Sequence, residues 1–202
     1  MTIRPCLSAA ARCLVCCMKS TFCSSRSWCA ALLGLALLMP ACAWRKDYRP
    51  SLPVLVEERL NWMDEVAMAK QIAAMPITDP VREAELLRTM TQRGVAAGLK
   101  EESVRRFFTG QMQAAKVVQQ EWLRKHPPGA TSILTVVPSL THTIRPALDE
   151  IGAEMIARLA QPRTPAESAA LLEEARERLV RAGYSAAVMK PALDGLQAGL
   201  VR

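Results

Sequence analysis

Aromatic residues are scarce in this chain, and its cysteines are confined to one end. Phe, Trp and Tyr make up 4% of the 202 residues, and Ala, Leu, Met, Glu and Arg are frequent. This composition argues against a β-sandwich or barrel and favours helices. All seven cysteines lie within the first 43 residues. Neither a disulfide framework nor a cysteine metal site is therefore expected in the rest of the chain.

Acidic residues are absent from the same 43 residues, which contain four basic ones. The apolar stretch from Ala30 to Met39 is too short to span a bilayer but is typical of a signal peptide. It is followed by the small-residue motif Ala41-Cys42-Ala43. We therefore predict that residues 1–43 are a cleaved export signal, with a true start that fits Met18 better than the first residue. The mature protein is expected in the periplasm or outside the cell.

Other interpretations of this segment stay open. It could be a buried helix or an uncleaved anchor, and Cys42 could carry a lipid, because the sequence from Leu38 to Cys42 loosely resembles a lipobox.

Without residues 1–43 the chain has 22 Lys and Arg against 19 Asp and Glu, a net charge of +3 in place of +7. No nucleic-acid partner is predicted, because most of the basic excess belongs to the leader. Stable membrane association is expected only if Cys42 is lipidated.

Apolar residues recur at helical spacing through the remainder of the chain. We predict a short linker at 44–51 and then a single all-α domain over 52–202, a bundle of about six helices. The predicted helices cover 52–75, 80 to about 94–98, and about 101–126, 145–161, 165–182 and 185–200, with a loop or irregular segment at 127–142. Asp79 before Pro80, and Thr164 with Glu167, are expected to cap helix starts. Pro191 is expected to kink the last helix.

Several polar residues lie on or beside the apolar faces of these helices. Arg59 and Lys70 are eleven residues apart, so they lie within about 20° of each other around the first helix. Gln111 and Gln119 are placed similarly on the third helix. Buried cations are costly without a partner. Either these side chains extend from the rim into solvent, or helices share a pocket lined by cations that binds a small anion.

Motifs for other chemistries are missing. His126 and His142 lack the spacing of metal ligands, and we predict no metal site. The sequence contains no P-loop, no dinucleotide-binding fingerprint and no GxSxG motif, and we predict no cofactor.

On these residues the chain resembles the all-α AroQ-class chorismate mutases, in particular their secreted, gamma-type branch. The matching segments are Glu58–Leu60, Val66–Lys70, Pro76–Glu83, Phe108–Gln119 and, more weakly, Ile144–Asp149. The spacing of the matched polar residues is similar to that of the family's active site. Arg59 is followed by Lys70 eleven residues later and by Asp79 nine residues further. Arg82-Glu83 begins three residues after Asp79, and Gln119 follows thirty-six residues after Glu83. The resemblance implies an exported, homodimeric isomerase that converts chorismate to prephenate without a cofactor.

The resemblance also implies roles for the matched basic residues. Arg59 and Arg145 would bind the two carboxylates of chorismate, with Arg158 as the alternative to Arg145. Lys70 would contact a carboxylate and the ether oxygen, and Gln119 would be the second donor to that oxygen.

Three residues near the start of the second helix complete the implied site. Glu83 would accept a hydrogen bond from the ring hydroxyl, Arg82 would orient groups nearby, and Asp79 would fix the loop.

The chain departs from many relatives at Ala115, where they have a Ser or Thr that binds a carboxylate. The alternative function is a catalytically inactive, exported helical module that binds an anion or a partner, or a lipoprotein.

Overall fold

The structure, a computed structural model, describes residues 49–127 and 137–201. The predicted signal segment, most of the predicted linker and the centre of the predicted 127–142 loop lie outside these residues. The helices are α1 Leu52–Asn61, α2 Met63–Ile72, α3 Pro80–Ala96, α4 Glu101–Lys125, α5 Arg145–Leu159, α6 Pro165–Arg181 and α7 Ala186–Leu200. A short π-helical segment, Leu140–Ile144, precedes α5. The described residues belong to one compact unit and contain no strand, which confirms the all-α prediction.

The helix predicted over 52–75 is divided in the structure. α1 ends at Asn61, Trp62 forms a turn, and α2 begins at Met63 and ends at Ile72. The prediction of one continuous helix was wrong here, and α1 and α2 account for the difference from six helices. The apolar residues of the inward face on both sides of Trp62, including Leu60 and Met63, are buried. The hydrophobic face therefore continues across the interruption, and its periodicity gave no sign of the break.

The predicted helix caps are confirmed. The Asp79 side chain accepts a hydrogen bond from the Arg82 backbone N–H at 3.1 Å, which caps α3. Thr164 and Glu167 form a reciprocal capping box at the start of α6. α7 is assigned as helix on both sides of Pro191, and a kink at this residue stays a prediction.

The loop prediction was wrong for residues 140–142. The π-helical segment Leu140–Ile144 runs directly into α5. The carbonyl of Ser139 accepts from the N–H groups of both Thr143 and Ile144 at 3.0 Å, and the Ser139 hydroxyl accepts from the N–H of His142. Ile144 is fully buried. The Ser139 cap and the buried Ile144 side chain stabilise this helical turn, although Thr141, His142 and Thr143 have low helix propensity.

Of the helices in the described part of the chain, α4 is the longest, and it packs against α1, α2, α3 and α7. Its closest approach to α7 is made at two glycines: a Cβ at Gly110 would lie 2.5 Å from the carbonyl oxygen of Pro191 and 2.7 Å from the Cα of Gly195. On other faces of α4, residues 112–119 lie beside α2 and α3. Across residues 49–127 and 137–201, no helix has the length and hydropathy needed to cross a membrane.

Candidate active site

A cavity of about 120 Å³ lies among α1, α2, α3, α4 and the start of α5. This is roughly ten times the volume that a single water molecule needs. The cavity is lined by the seven residues to which the resemblance gave a main role in the site: Arg59, Lys70, Asp79, Arg82, Glu83, Gln119 and Arg145. Five helices and the segment before α3 therefore bring together residues that are up to 86 positions apart in the sequence.

Arg59 is a buried cation in the last turn of α1. Its residue is 5% exposed, and its Nε is buried without a hydrogen-bond partner in the described part of the chain. Desolvation by burial lowers the pKa of Arg59 to about 10, and the carboxylate of Asp149 opposes this shift. The first interpretation, a side chain that extends into solvent, is excluded for Arg59. A buried guanidinium at a cavity wall is suited to bind an anion.

Lys70 lies in the last turn of α2 and is half-buried. Its Nζ donates a hydrogen bond to the carbonyl oxygen of Ile77 at 2.5 Å, which ties the segment before α3 to α2. Burial lowers the pKa of Lys70, and the nearby carboxylates of Asp79 and Glu83 oppose that shift. An ammonium group has three N–H donors, so Lys70 can also donate to a ligand in the cavity.

The first turn of α3 places Asp79 and Arg82 in fixed positions. The Asp79 carboxylate serves as the helix cap. The guanidinium of Arg82 contacts Glu85 at 3.0 Å and reaches Asp149 of α5 at 3.5 Å. Arg82 is therefore held between two carboxylates and links α3 to α5 at the rim of the cavity.

Glu83 is held at both carboxylate oxygens. Oε1 accepts from the backbone N–H of Asp79 at 3.3 Å, and Oε2 accepts from Nζ of Lys116 at 2.9 Å. Sequence reasoning missed Lys116, although Met112, Lys116 and Gln119 follow the helical spacing i, i+4 and i+7 that would have placed it on the same face. It also missed Asp149, which lies one turn after Arg145 and lines the cavity.

Gln119 is buried in the cavity wall, where it is 4% exposed. Its amide Nε2 donates to the carbonyl oxygen of Ala115 at 3.2 Å and lies 3.6 Å from Sδ of Met63, a weak acceptor. Its Oε1 has no partner among the described residues. Gln111, the other glutamine on this helix, lies elsewhere: it is fully buried and donates to the carbonyl oxygen of Ala192 in α7.

The two alternatives for the later arginine are separated by the fold. Arg145 follows the π-helical segment and lines the cavity, and no ion pair holds it within the described residues. Arg158 lies three to four turns further along α5, where it is paired with Glu154, and it does not line the cavity. The turn that begins at Ser139 thus brings Arg145 to the site.

The charges around the cavity do not balance. Among the described residues, five cationic side chains line it, from Arg59, Lys70, Arg82, Lys116 and Arg145, against three carboxylates, from Asp79, Glu83 and Asp149. The excess of two positive charges, next to apolar side chains of Val66, Leu86 and Leu148, suits a small organic dianion. In residues 49–127 and 137–201 no group of three or more His, Cys, Asp or Glu is placed to hold a metal ion.

The fold and the cavity define an all-α protein with a cation-rich site for a small anionic molecule. Residues 52–120 match the family model for chorismate mutase type II. A chorismate mutase from Burkholderia thailandensis has a similar structure, with a TM-score of 0.57, 30% identity, and coverage of 74% of this chain and 94% of that one. The chain belongs to the chorismate mutase family.

Two further relatives agree with this assignment. A chorismate mutase from Burkholderia phymatum matches with a TM-score of 0.63 and 26% identity, over 75% of this chain and 94% of that chain. A secreted chorismate mutase from Yersinia pestis is 26% identical over 111 residues, which are 53% of this chain. The matched part spans just over half, 56%, of the length of that curated relative.

Proposed function

We propose that this protein is a chorismate mutase, which rearranges chorismate to prephenate. The observation that carries the proposal is the guanidinium of Arg59, buried at the wall of a cavity with two excess positive charges. Chorismate has two carboxylates, so its binding would satisfy this charge. An arginine fork binds a carboxylate with two parallel hydrogen bonds, and Arg59 and Arg145 are the proposed ligands of the two carboxylates.

The reaction is a Claisen rearrangement within one molecule. One C–O bond breaks while a C–C bond forms, and no proton, nucleophile or cofactor takes part. The protein accelerates it by holding the substrate in a compact conformer and by stabilising the charge that develops as the C–O bond breaks. A cavity whose cations come from five helices can hold both ends of such a substrate at fixed positions.

Negative charge develops on the ether oxygen, and we assign two donors to it. Lys70 would give an N–H that Ile77 does not use, and Gln119 would give the N–H that faces only the sulfur of Met63. Glu83 would accept a hydrogen bond from the ring hydroxyl, while Asp79 and Arg82 hold the first turn of α3. Ala115 has no side-chain hydroxyl, and the missing contact is expected to cost only about 0.5–1.5 kcal/mol in binding.

Loss of chorismate absorbance tests the proposal. The wild-type protein should consume chorismate, and Arg59→Ala and Lys70→Ala should each lower kcat/KM by about a hundredfold or more. Lys190→Ala is the matched control, because it removes a lysine whose ion pair with Asp194 is exposed. Unchanged activity in both site variants would refute the proposed site. A folded wild type without activity would favour the inactive, anion-binding alternative.

We also propose that the protein is exported, with residues 1–43 removed, a linker at 44–51 and the catalytic domain at 52–202. The leader composition and the secreted relative from Yersinia pestis support this proposal. The intact mass of the protein recovered from the periplasm or medium tests it. Cleavage after Ala43 leaves a chain that starts at Trp44. A lipid-modified Cys42 would instead indicate a membrane-attached lipoprotein.

The resemblance to the family supports a third proposal, that the protein is a homodimer. The five cationic residues of the proposed site come from one chain, so activity and dimer formation are tested separately. Sedimentation of the purified protein at micromolar concentration should give the mass of two chains. A mass of one chain with full activity would refute the dimer and leave the proposed site intact.

A further inference from the structure

Lys116 links two helices at the wall of the cavity. It lies in the middle of α4, and its Nζ donates to Oε2 of Glu83 in the first turn of α3 at 2.9 Å. The side chains are 29% and 27% exposed, so solvent screens the pair less than it screens the exposed ion pairs of this chain.

The ion pair with Lys116 is the main restraint on the Glu83 carboxylate. The other contact, from the backbone N–H of Asp79 to Oε1, is long at 3.3 Å. A glutamate has three rotatable bonds, and ordering it costs entropy that a charge-assisted hydrogen bond at 2.9 Å can offset. Without Lys116, the Glu83 carboxylate would be free to rotate towards another cation of the cavity wall or towards solvent.

We propose that Lys116 is a positioning residue, which holds the Glu83 carboxylate in the orientation that accepts a hydrogen bond from the ring hydroxyl of the substrate. Lys116 thereby determines how strongly the enzyme prefers a dianionic ring substrate that has this hydroxyl over one that lacks it. This inference rests on the proposed function and adds to it a residue that sets specificity.

The chemistry of the cavity explains why a lysine is placed at this position. Glu83 adds a negative charge to a site for a dianion, and the charge would repel the substrate if it were not compensated. Pairing with Lys116 neutralises this charge and leaves lone pairs on the carboxylate to accept from a hydroxyl. A site built to accept from a substrate hydroxyl discriminates strongly against an analogue without it.

The test compares chorismate with an analogue that lacks the ring hydroxyl, for the wild type, Lys116→Met, Glu83→Gln and the double variant. With chorismate, Lys116→Met should lower kcat/KM about tenfold or more, mainly through KM. With the analogue, the same substitution should cause a loss in kcat/KM at least about threefold smaller than with chorismate, because only the uncompensated charge of Glu83 then acts on the substrate. The kcat/KM of the double variant for chorismate should lie within about threefold of that of the less active single variant, because both substitutions act on one contact.

Two further variants serve as controls. Lys116→Arg keeps the charge-assisted hydrogen bond and should restore most of the preference for the hydroxylated substrate. Lys190→Met breaks the exposed pair with Asp194 and should leave both substrates unaffected. Circular dichroism checks that each variant is folded, and Lys116→Gln replaces Lys116→Met if the latter is not.

Each outcome bears on the proposal. An unchanged preference in the Lys116 variants would overturn it while the wild type still converts chorismate. Equal losses on both substrates, or effects of Lys116→Met and Glu83→Gln that multiply, would also overturn it, because Lys116 would then contact the substrate directly or act only on the fold. A folded wild type without activity would overturn the proposed function and this inference together.

Discussion

Replacement of Arg59 by methionine should lower kcat/KM at least about a hundredfold and stabilise the free protein. Arg59 is 5% exposed, and its Nε has no hydrogen-bond partner among the described residues. Methionine keeps much of the aliphatic volume of arginine and removes the charge. The same substitution should therefore remove a substrate ligand and relieve a desolvation penalty, as expected where a binding site is maintained at the expense of stability.

The size of the stabilisation follows from the pKa of Arg59. Burial lowers this pKa from 12.5 to about 10, and the gap corresponds to about 3 kcal/mol at 1.36 kcal/mol per pH unit. The folded state disfavours the charged form, so the penalty is fully present at every pH below 10 and is relieved only as the pH rises above it. At pH 7 the melting temperature of Arg59→Met should increase by about 6–12 °C.

Differential scanning calorimetry and a chorismate assay on the same samples measure both effects. Arg59→Met should melt at a higher temperature and lose about a hundredfold to ten-thousandfold in kcat/KM. Arg59→Lys, the control, keeps a buried charge and should not gain this stability. A melting temperature of Arg59→Met at or below that of the wild type would refute the reasoning, since Arg59 would then stabilise the free fold.

Three further predictions concern the site. Arg145→Met should lower kcat/KM about a hundredfold or more, whereas Arg158→Met should change it less than about threefold, and comparable losses in both would contradict the assignment of Arg145. Wild-type activity should be steady from pH 5 to 8 and should fall before pH 10.5. The fall is expected because burial lowers the pKa of Lys70, which loses its charge as the pH rises. A rate that collapses between pH 5 and 8 would contradict this. Gln119→Glu should confine activity to acidic pH, where the carboxyl keeps its proton and can donate, and a pH profile like that of the wild type would exclude Gln119 as a donor.

Local signals predicted the helices well. The Asp79-Pro80 cap and the Thr164–Glu167 capping box depend on residues within one turn, and the structure contains both. Features that depend on packing were missed. The break at Trp62 preserves the apolar face, and the π-helical turn after Ser139 depends on the burial of Ile144.

The candidate site was predictable where residues repeat along one helix. Arg59 and Lys70 were found because their spacing places them on one side of the first two helices. Lys116 and Asp149 were missed because their partners are distant in sequence, Glu83 at 33 positions and Arg82 at 67. Periodicity alone also left Gln111 and Gln119 equivalent, and only the packing of α4 shows that one contacts α7 and the other lines the cavity.

The most direct test of the central proposal is to add chorismate to the purified protein, expressed from the full chain, and to identify the product by NMR. We predict that chorismate is consumed, that prephenate is the product, and that dialysis against a metal chelator leaves the rate unchanged. A folded, helical protein that converts chorismate no faster than buffer would contradict the proposed function.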